Sequence, residues 1–420
     1  IAVLMFSFAS VNADARLTNV VLPNDARVSY VGRFDFDDPL APTHAWAATQ
    51  VSVNFRGTEI AANLSAPKDG ERLRIIIDGN TSGFVLAKQG GALDEQSRWS
   101  TYTLARELPS GEHFVTVWKA TEDNSNKGAK GVAGFGGFAT DGVFLERAAV
   151  AAGSRSSRTR RLQFIGDSDT AGWCADGEPS TGDAANKYED SYQTWAAQLA
   201  RAFDAELHVQ AVSGWGVGSG AKAIQTVMDY TNGFAKQTLW NYSQWTPDAI
   251  VLLIGPNDES RSSHNRRAAT PQISRRGGHR QAASTGAATR SGTPVSGGQF
   301  IADYIDLLDR LVENYAAVAG ALKPKIVHVC GGSLNGFDPC DDIETANGRF
   351  NAKHGAAGWS GHFTTIKRST WETINGCKQG SLSKCSGKSA FNGCDGHYNA
   401  NGHMRLAADV RPQIAKVLGW

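Results

Sequence analysis

Hydrophobic and polar positions change their rhythm once along this chain, near residue 160. Between about 16 and 150 the apolar residues come in short runs, often alternating with polar ones. Val51-Ser52-Val53-Asn54-Phe55, Leu73-Arg74-Ile75-Ile76-Ile77 and His113-Phe114-Val115-Thr116-Val117-Trp118 are the clearest. Alternation with a period of two puts every second side chain on one face, so these segments predict β-strands. Asp78-Gly79 and Ser110-Gly111 supply turn chemistry between them. Short strands with few helical periods predict an all-β sandwich, of the jelly-roll kind, over residues 16–150.

From Leu162 onward, strand-like runs alternate with helical ones. Phe164-Ile165 and Ala249-Ile250-Val251-Leu252-Leu253-Ile254 are aliphatic and strand-like. Tyr192, Trp195, Leu199 and Phe203 recur at helical spacing behind Asp190 or Ser191 as a cap. Phe300, Tyr304, Leu307, Leu308 and Leu311 form a second such face. This alternation predicts an α/β region over 162–420, built on a parallel sheet whose site lies at the strands' C-terminal ends.

Three segments stand outside the pattern. Residues 151–161 are polar and basic and read as a solvated linker. Residues 260–298 are rich in Arg, Ser, Ala and Gly and hold no acid. Such a stretch cannot bury enough surface to order itself, so it reads as a disordered insertion or a retained intron; a basic partner-binding loop is the alternative. Residues 1–15 are apolar and end in small residues, as the remnant of a secretory signal would. They are too few to span a bilayer.

Bulk composition narrows the setting. The chain has 420 residues, enough for two domains with proper cores, and a formal net charge of +1. No strong field points to nucleic acid or to a membrane surface. The six cysteines, Cys174, Cys330, Cys340, Cys377, Cys385 and Cys394, all lie in the second half. In a secreted chain they suit up to three disulfides. Cys330–Cys340 and Cys377–Cys385 would close local loops, and Cys174–Cys394 would then tie two distant segments. Asn63, Asn80 and Asn241 stand in glycosylation sequons.

The candidate chemistry sits where strands stop. Phe164-Ile165 runs into Gly166-Asp167-Ser168, which can project a serine hydroxyl at the open end of a sheet, with a free backbone N–H beside it. Ala211-Val212-Ser213-Gly214-Trp215 is a glycine-rich strand end able to add a second N–H. The run to Ile254 ends in Gly255-Pro256-Asn257-Asp258, where the Asn257 amide can donate to a developing negative charge. Near the C-terminus, Asp395-Gly396-His397 precedes a final helix, and an acid so placed can reach and orient the imidazole.

In this order, Gly166-Asp167-Ser168, Gly214, Asn257 and His397 resemble the four blocks of the SGNH (GDSL-type) hydrolases. The Asp395-x-His397 spacing is similar to that of carbohydrate esterase family 2, the acetyl xylan esterase type. So are Val31-Gly32-Arg33-Phe34-Asp35-Phe36, Ala45-Trp46 and the run from Val51 to Thr58. The resemblance implies a flavodoxin-like parallel sheet with helices on both faces, preceded by the jelly-roll sandwich. It also implies a secreted esterase that removes acetyl groups from xylan or mannan. Ser168 would be the nucleophile and His397 the general base. Asp395, or a backbone carbonyl in its place, would orient His397. The N–H groups of Ser168 and Gly214 and the Asn257 amide would form the oxyanion hole. Asp167 and Asp258 would fasten their turns, and His403 would be the family's second, non-catalytic histidine. Trp173 and Trp215 would stack on sugar or pack their loops.

Asp169 departs from the family, which carries an aliphatic residue there; it is expected to face solvent or to pair with an arginine. Pro256 is a milder departure. Nothing in the sequence calls for a metal or organic cofactor. The expected partner is an acetylated polysaccharide, with no nucleic acid and no membrane, and a monomer is expected. Two other readings stay open: an esterase or lipase of the same superfamily acting on small acyl esters, and a catalytically impaired carbohydrate-binding protein.

Overall fold

In the computed structural model the residues described are 17–67, 70–88, 99–123, 131–146, 159–178, 186–218, 222–258, 297–318, 323–331, 339–367, 369–370, 390–394 and 396–420. The expected signal remnant and nearly all of the insert lie outside them, as do Cys377, Cys385 and Asp395.

Eleven strands come first: β1 (Asn19–Val21), β2 (Ser29–Val31), β3 (Thr43–His44), β4 (Gln50–Gly57), β5 (Ile60–Ser65), β6 (Glu71–Ile77), β7 (Asn80–Ala87), β8 (Trp99–Ala105), β9 (Gly111–Lys119), β10 (Ala133–Thr140) and β11 (Val143–Leu145). They pair antiparallel in two sheets. One runs β1-β10-β5-β8 with β3 on β10, and the other runs β11-β4-β9-β6-β7 with β2 on β4. Strand alternation sends Val51, Val53 and Phe55 of β4 and Val115 and Val117 of β9 inward. There they meet Ile60, Leu64, Phe135 and Phe138 of the facing sheet. Asp78 and Gly79, both at positive φ, close the β6–β7 hairpin.

The second region is a five-stranded parallel sheet. Its strands are β12 (Arg160–Gly166), β13 (Ala205–Ala211), β14 (Ala249–Leu253), β15 (Lys325–Cys330) and β16 (Gly361–Thr365), in the order β13-β12-β14-β15-β16. Counted within this region the order is 2-1-3-4-5, the flavodoxin-like arrangement, whose switch point lies between its first and third strands. β12 begins at Arg160, so the last two residues of the expected linker are strand.

Helices cover both faces. They are α1 (Ser168–Ala171), α2 (Trp195–Ala202), α3 (Gly297–Ala316), α4 (Cys340–His354) and α5 (Ala400–Leu418). Leu162 and Phe164 of β12 and Val251 of β14 pack against Trp195 and Leu199 of α2 and Leu406, Val410 and Ile414 of α5. Ile165, Ile250 and Leu252 face the other way, onto Phe300, Tyr304, Leu308 and Leu311 of α3. Both predicted apolar stripes are therefore core. α3 takes the last two residues of the expected insert.

The two regions are joined by polar groups as well as apolar ones. Trp118 Nε1 donates to Ser191 Oγ at 2.8 Å, and Ser191 N–H donates to the Ala120 carbonyl at 2.8 Å. Trp46 Nε1 donates to the Tyr230 carbonyl at 3.1 Å. Between them lies a buried acidic cluster. Glu71 pairs with Lys119 at 2.6 Å, Arg74 pairs with Asp190, and Glu189 Oε1 accepts the Glu122 N–H at 2.6 Å. Glu189 is fully buried, and its Oε2 has no hydrogen-bond partner.

Burial, and then the neighbouring Glu122, hold the Glu189 carboxyl well above its ordinary value of 4.5. The folded protein therefore keeps this proton at a pH where the unfolded chain has lost it. Stability from this group is full below the unfolded value and falls as pH rises above it. Glu189→Gln keeps the acceptor without the charge. Its melting temperature relative to wild type is expected to climb from pH 5 to pH 8, measured by thermal unfolding at matched ionic strength. A difference that stays flat or falls over that range refutes a raised Glu189.

Candidate active site

Three strand ends meet at one edge of the parallel sheet because their registers align. Gly166 pairs with Ala211 on one side and with Leu253 on the other. The chain leaves β12 through Asp167 into α1, so Ser168 is the first residue of a short helix. Asp167 caps that helix: its Oδ1 accepts the Asp169 N–H at 3.2 Å, and its Oδ2 accepts from Asn257 Nδ2 at 3.2 Å. Burial, and then the adjacent Asp169, push the Asp167 carboxyl up. The acid is part of the turn, as the resemblance implies.

Ser168 is 7% exposed, and its Oγ lies 2.9 Å from His397 Nε2. The two residues are 229 positions apart. His397 sits on a loop closed on itself: its N–H donates to the Cys394 carbonyl at 3.1 Å, and its carbonyl accepts the Gly393 N–H at 2.8 Å. Cys330 is bonded to Cys340, as their spacing suggested, and Cys394 to Cys174, just beyond α1, the pairing expected to tie the two distant segments. Asp395 lies outside the described residues.

The β13 end makes a tight turn. Trp215 N–H donates to the Val212 carbonyl at 3.2 Å, and Gly214 has φ +76°. A four-residue turn with a left-handed third residue is type II, which selects glycine. Nothing crowds the position, since an added Cβ would meet only Lys222 Nζ at 4.0 Å; backbone conformation alone calls for glycine. The central peptide N–H of such a turn, that of Gly214, is not used by the turn itself.

Asn257 links the two neighbouring strand ends. Its Nδ2 donates to the Trp215 carbonyl at 2.9 Å as well as to Asp167. Asp258 is buried and accepts the N–H groups of Val217 and Gly218 at 2.9 and 2.6 Å, so it fastens the segment after Gly214. Pro256 is half-buried beside them.

The other expected residues fall as follows. His403 is fully buried in the first turn of α5, edge-on to Tyr398, and burial pushes it down to about 3. It stays neutral, and no hydrogen bond joins it to Ser168. Trp215 is 6% exposed and packs edge-on against Phe234. Trp173 is half-buried against the Cys174–Cys394 bridge. Asp169 corrects an expectation. It neither faces solvent freely nor pairs with an arginine among the described residues. It is half-buried, its Oδ1 is shielded and has no hydrogen-bond partner, and it faces His397 electrostatically. Burial raises its carboxyl, and His397 partly offsets this.

Glu122 was not foreseen. Its Oε2 accepts the Ser213 N–H at 2.6 Å, beside Gly214. It follows β9 in a segment where the sequence shows only a polar run, so no local signal marked it.

A model of the GDSL-like lipase/acylhydrolase family matches residues 164–404, and a carbohydrate esterase 2 N-terminal model matches residues 30–146. A cellulase/esterase from Acetivibrio thermocellus is 31% identical over 241 residues, 56% of this chain and 27% of that protein. An acetylxylan esterase / glucomannan deacetylase from Cellvibrio japonicus is 28% identical over 233 residues, 53% of this chain and 58% of that protein. The matches thus span less than two thirds of either relative. Among solved structures, a family two carbohydrate esterase from Clostridium thermocellum in complex with cellohexaose has a TM-score of 0.68 at 23% identity, covering 94% of this chain and 99% of that one. An acetyl xylan esterase from Butyrivibrio proteoclasticus has a TM-score of 0.70 at 18% identity, covering 96% and 99%. At these identities the likeness is one of fold.

The Cys174–Cys394 bridge spans 220 residues and the Cys330–Cys340 bridge 10. In the chain-entropy view the long loop contributes about 5 kcal/mol and the short one about 3 kcal/mol. Cys174→Ser with Cys394→Ser is therefore expected to lower the melting temperature more than Cys330→Ser with Cys340→Ser. It should also lower kcat, because the His397 loop loses its tie to the Ser168 side. Equal losses in both pairs, with kcat intact, would contradict this.

Proposed function

The chain belongs to the GDSL-like lipase/acylhydrolase family, and its residues 30–146 match a carbohydrate esterase 2 N-terminal model; on that premise we propose that it is a carboxylic ester hydrolase that removes O-acetyl groups from plant polysaccharides, xylan or mannan, outside the cell. The observation that carries the chemistry is the 2.9 Å contact of Ser168 Oγ with His397 Nε2. Nucleophile and base at that distance are within reach for proton transfer.

Ser168 Oγ attacks the acetyl carbonyl carbon while His397 Nε2 takes the hydroxyl proton. The tetrahedral oxyanion is held by the N–H groups of Ser168 and Gly214 and by the Asn257 amide. Both Asn257 protons are engaged in the resting site, so the longer bond to Asp167 gives way as the oxyanion forms. His397 then returns its proton to the leaving sugar oxygen, and the sugar departs with a free hydroxyl. Water attacks the acetyl-serine with His397 again as base, releasing acetate and restoring Ser168. Asp395 orients His397, with a backbone carbonyl as the alternative. Trp173, whose N–H donates to the Ser168 carbonyl at 3.1 Å, borders the sugar in this reading, while Trp215, turned onto Phe234, contributes chiefly by fixing its loop.

The curated relative from Cellvibrio japonicus is named for xylan and glucomannan deacetylation, which supports the substrate class. The two disulfides among the described residues suit an oxidising compartment. No helix among the described residues is long and apolar enough to cross a membrane.

Acetate release from acetylated xylan, acetylated glucomannan and p-nitrophenyl acetate tests the reading. Ser168→Ala and His397→Ala are each expected to lower kcat by at least about 10³-fold with folding intact, and Asn257→Ala by about 10²–10³-fold. Asp395→Ala is expected to lose less than His397→Ala. Turnover of p-nitrophenyl acetate with none of either polysaccharide would refute the polysaccharide assignment, and an active His397→Ala would refute the base.

A further inference from the structure

We propose that Glu122, delivered by the β-sandwich, is a positioning residue of the catalytic centre, holding the turn that presents the Gly214 N–H to the oxyanion. This rests on the reading of Gly214 as an oxyanion donor. The turn Val212–Trp215 has two fixed points. One is its own closing bond from Trp215 N–H to the Val212 carbonyl, and the other is the Ser213 N–H, which donates to Glu122 Oε2 at 2.6 Å. With the peptide planes before and after it pinned, the Ser213–Gly214 peptide between them can take only the two orientations related by a peptide flip, and the left-handed φ of Gly214 is that of the type II one. Its N–H then points where the turn type sends it, outward from the turn. Preorganised direction of this kind is what an oxyanion donor needs, because no reorganisation is left to pay for during reaction.

Glu122 is itself immobilised. Its N–H donates to Glu189 Oε1 at 2.6 Å. Two residues earlier, the Ala120 N–H donates to the Arg72 carbonyl at 3.0 Å and the Ala120 carbonyl accepts from Ser191 at 2.8 Å. One residue later, Asp123 accepts the Gly131 N–H at 2.9 Å and the Phe234 N–H at 3.1 Å. The Phe234 ring stands edge-on to Trp215 with centroids 5.0 Å apart, so Asp123, by holding Phe234, adds an apolar contact that steadies the far side of the turn. A short bond to a carboxylate is stronger than one between neutral groups. The charged groups around Glu122 are Asp123, Glu189, Glu71 and Lys119. Burial pushes its carboxyl up to about 7, the Ser213 N–H opposes this, Asp123 adds to it and Lys119 reduces it. Around neutrality, accepting a hydrogen bond matters more here than carrying full charge. A glutamine can therefore stand in for it, while a shorter acid cannot reach.

The test compares Glu122→Gln, Glu122→Asp and Glu122→Ala with wild type, using p-nitrophenyl acetate kinetics and hydrogen exchange over residues 211–217. Aspartate keeps the acid but withdraws it by one methylene, so it reports on the contact even if the alanine variant fails to fold. Glu122→Asp and Glu122→Ala are expected to lower kcat about 10–100-fold, less than outright loss of a donor, with KM within about twofold of wild type and faster exchange in the turn. Glu122→Gln is expected to stay within about threefold of wild type in kcat, with exchange near wild type. A glutamine variant as poor as the aspartate one would overturn the proposal. Faster exchange with kcat unchanged would show that Glu122 holds the turn but that Gly214 is not the donor. Unchanged exchange in Glu122→Asp would show that Glu122 does not hold the turn at all.

Discussion

Everything at the candidate site depends on the register of β12 in the parallel sheet. Gly166 sits level with Ala211 and Leu253, so the chain turns out of three adjacent strands at one height. That alignment brings Ser168, Gly214 and Asn257 within reach of common partners. It leaves no room for a side chain at Gly166, where a Cβ would meet Thr170 Oγ1 at 2.2 Å and the Leu253 carbonyl at 2.8 Å. The register follows from burial. Leu162 and Phe164 face one helical layer and Ile165 the other. A slip by one residue would exchange the two faces and carry the serine away from the edge.

The base arrives by a different route. His397 is not at a sheet strand's end but on a loop after α4 and β16, and two constraints bring it to Ser168. One is the Cys174–Cys394 bridge, which ties that loop to the segment following α1. The other is α5, capped by Asn399 Oδ1 accepting the Gly402 N–H at 3.1 Å and packed through Leu406, Val410 and Ile414 onto the sheet. Together they fix the loop at both ends. The fully buried His403 belongs to the packing of that helix.

The β-sandwich is structurally part of the same unit. Trp46, Ile76 and Trp118 enter the two cores that flank the parallel sheet. The acids that follow β9 reach across to the backbone of the β13 turn and to Phe234. Buried acids with few cations, such as Glu189 and Glu122, lower stability above their ordinary range. Their hydrogen bonds to backbone N–H groups offset part of that cost and hold loops that would otherwise be free to move.

Much of this was legible from residues alone. Period-two runs marked β4, β6 and β9, helical stripes marked α2 and α3, and aliphatic runs ending in glycine, serine and asparagine marked the strand ends, because local geometry repeats at intervals the sequence must copy. The pairing of Ser168 with His397 was suggested by their motifs. The distance between them was not, since it depends on a register, a disulfide and a helix contributed by distant parts of the chain. Asp169 shows the limit most plainly. An acid after the nucleophile suggested solvent or an arginine, but the fold shields one of its oxygens and sets it within electrostatic reach of His397. Glu122 carried no local signal at all, because its role lies in a hydrogen bond to a residue 91 positions away. The sequence by itself determined which elements form and which groups stand at their ends, since both follow from short-range periodicity. Only the tertiary structure decided which of those groups meet and which charges are buried, since these follow from packing between elements far apart in the chain.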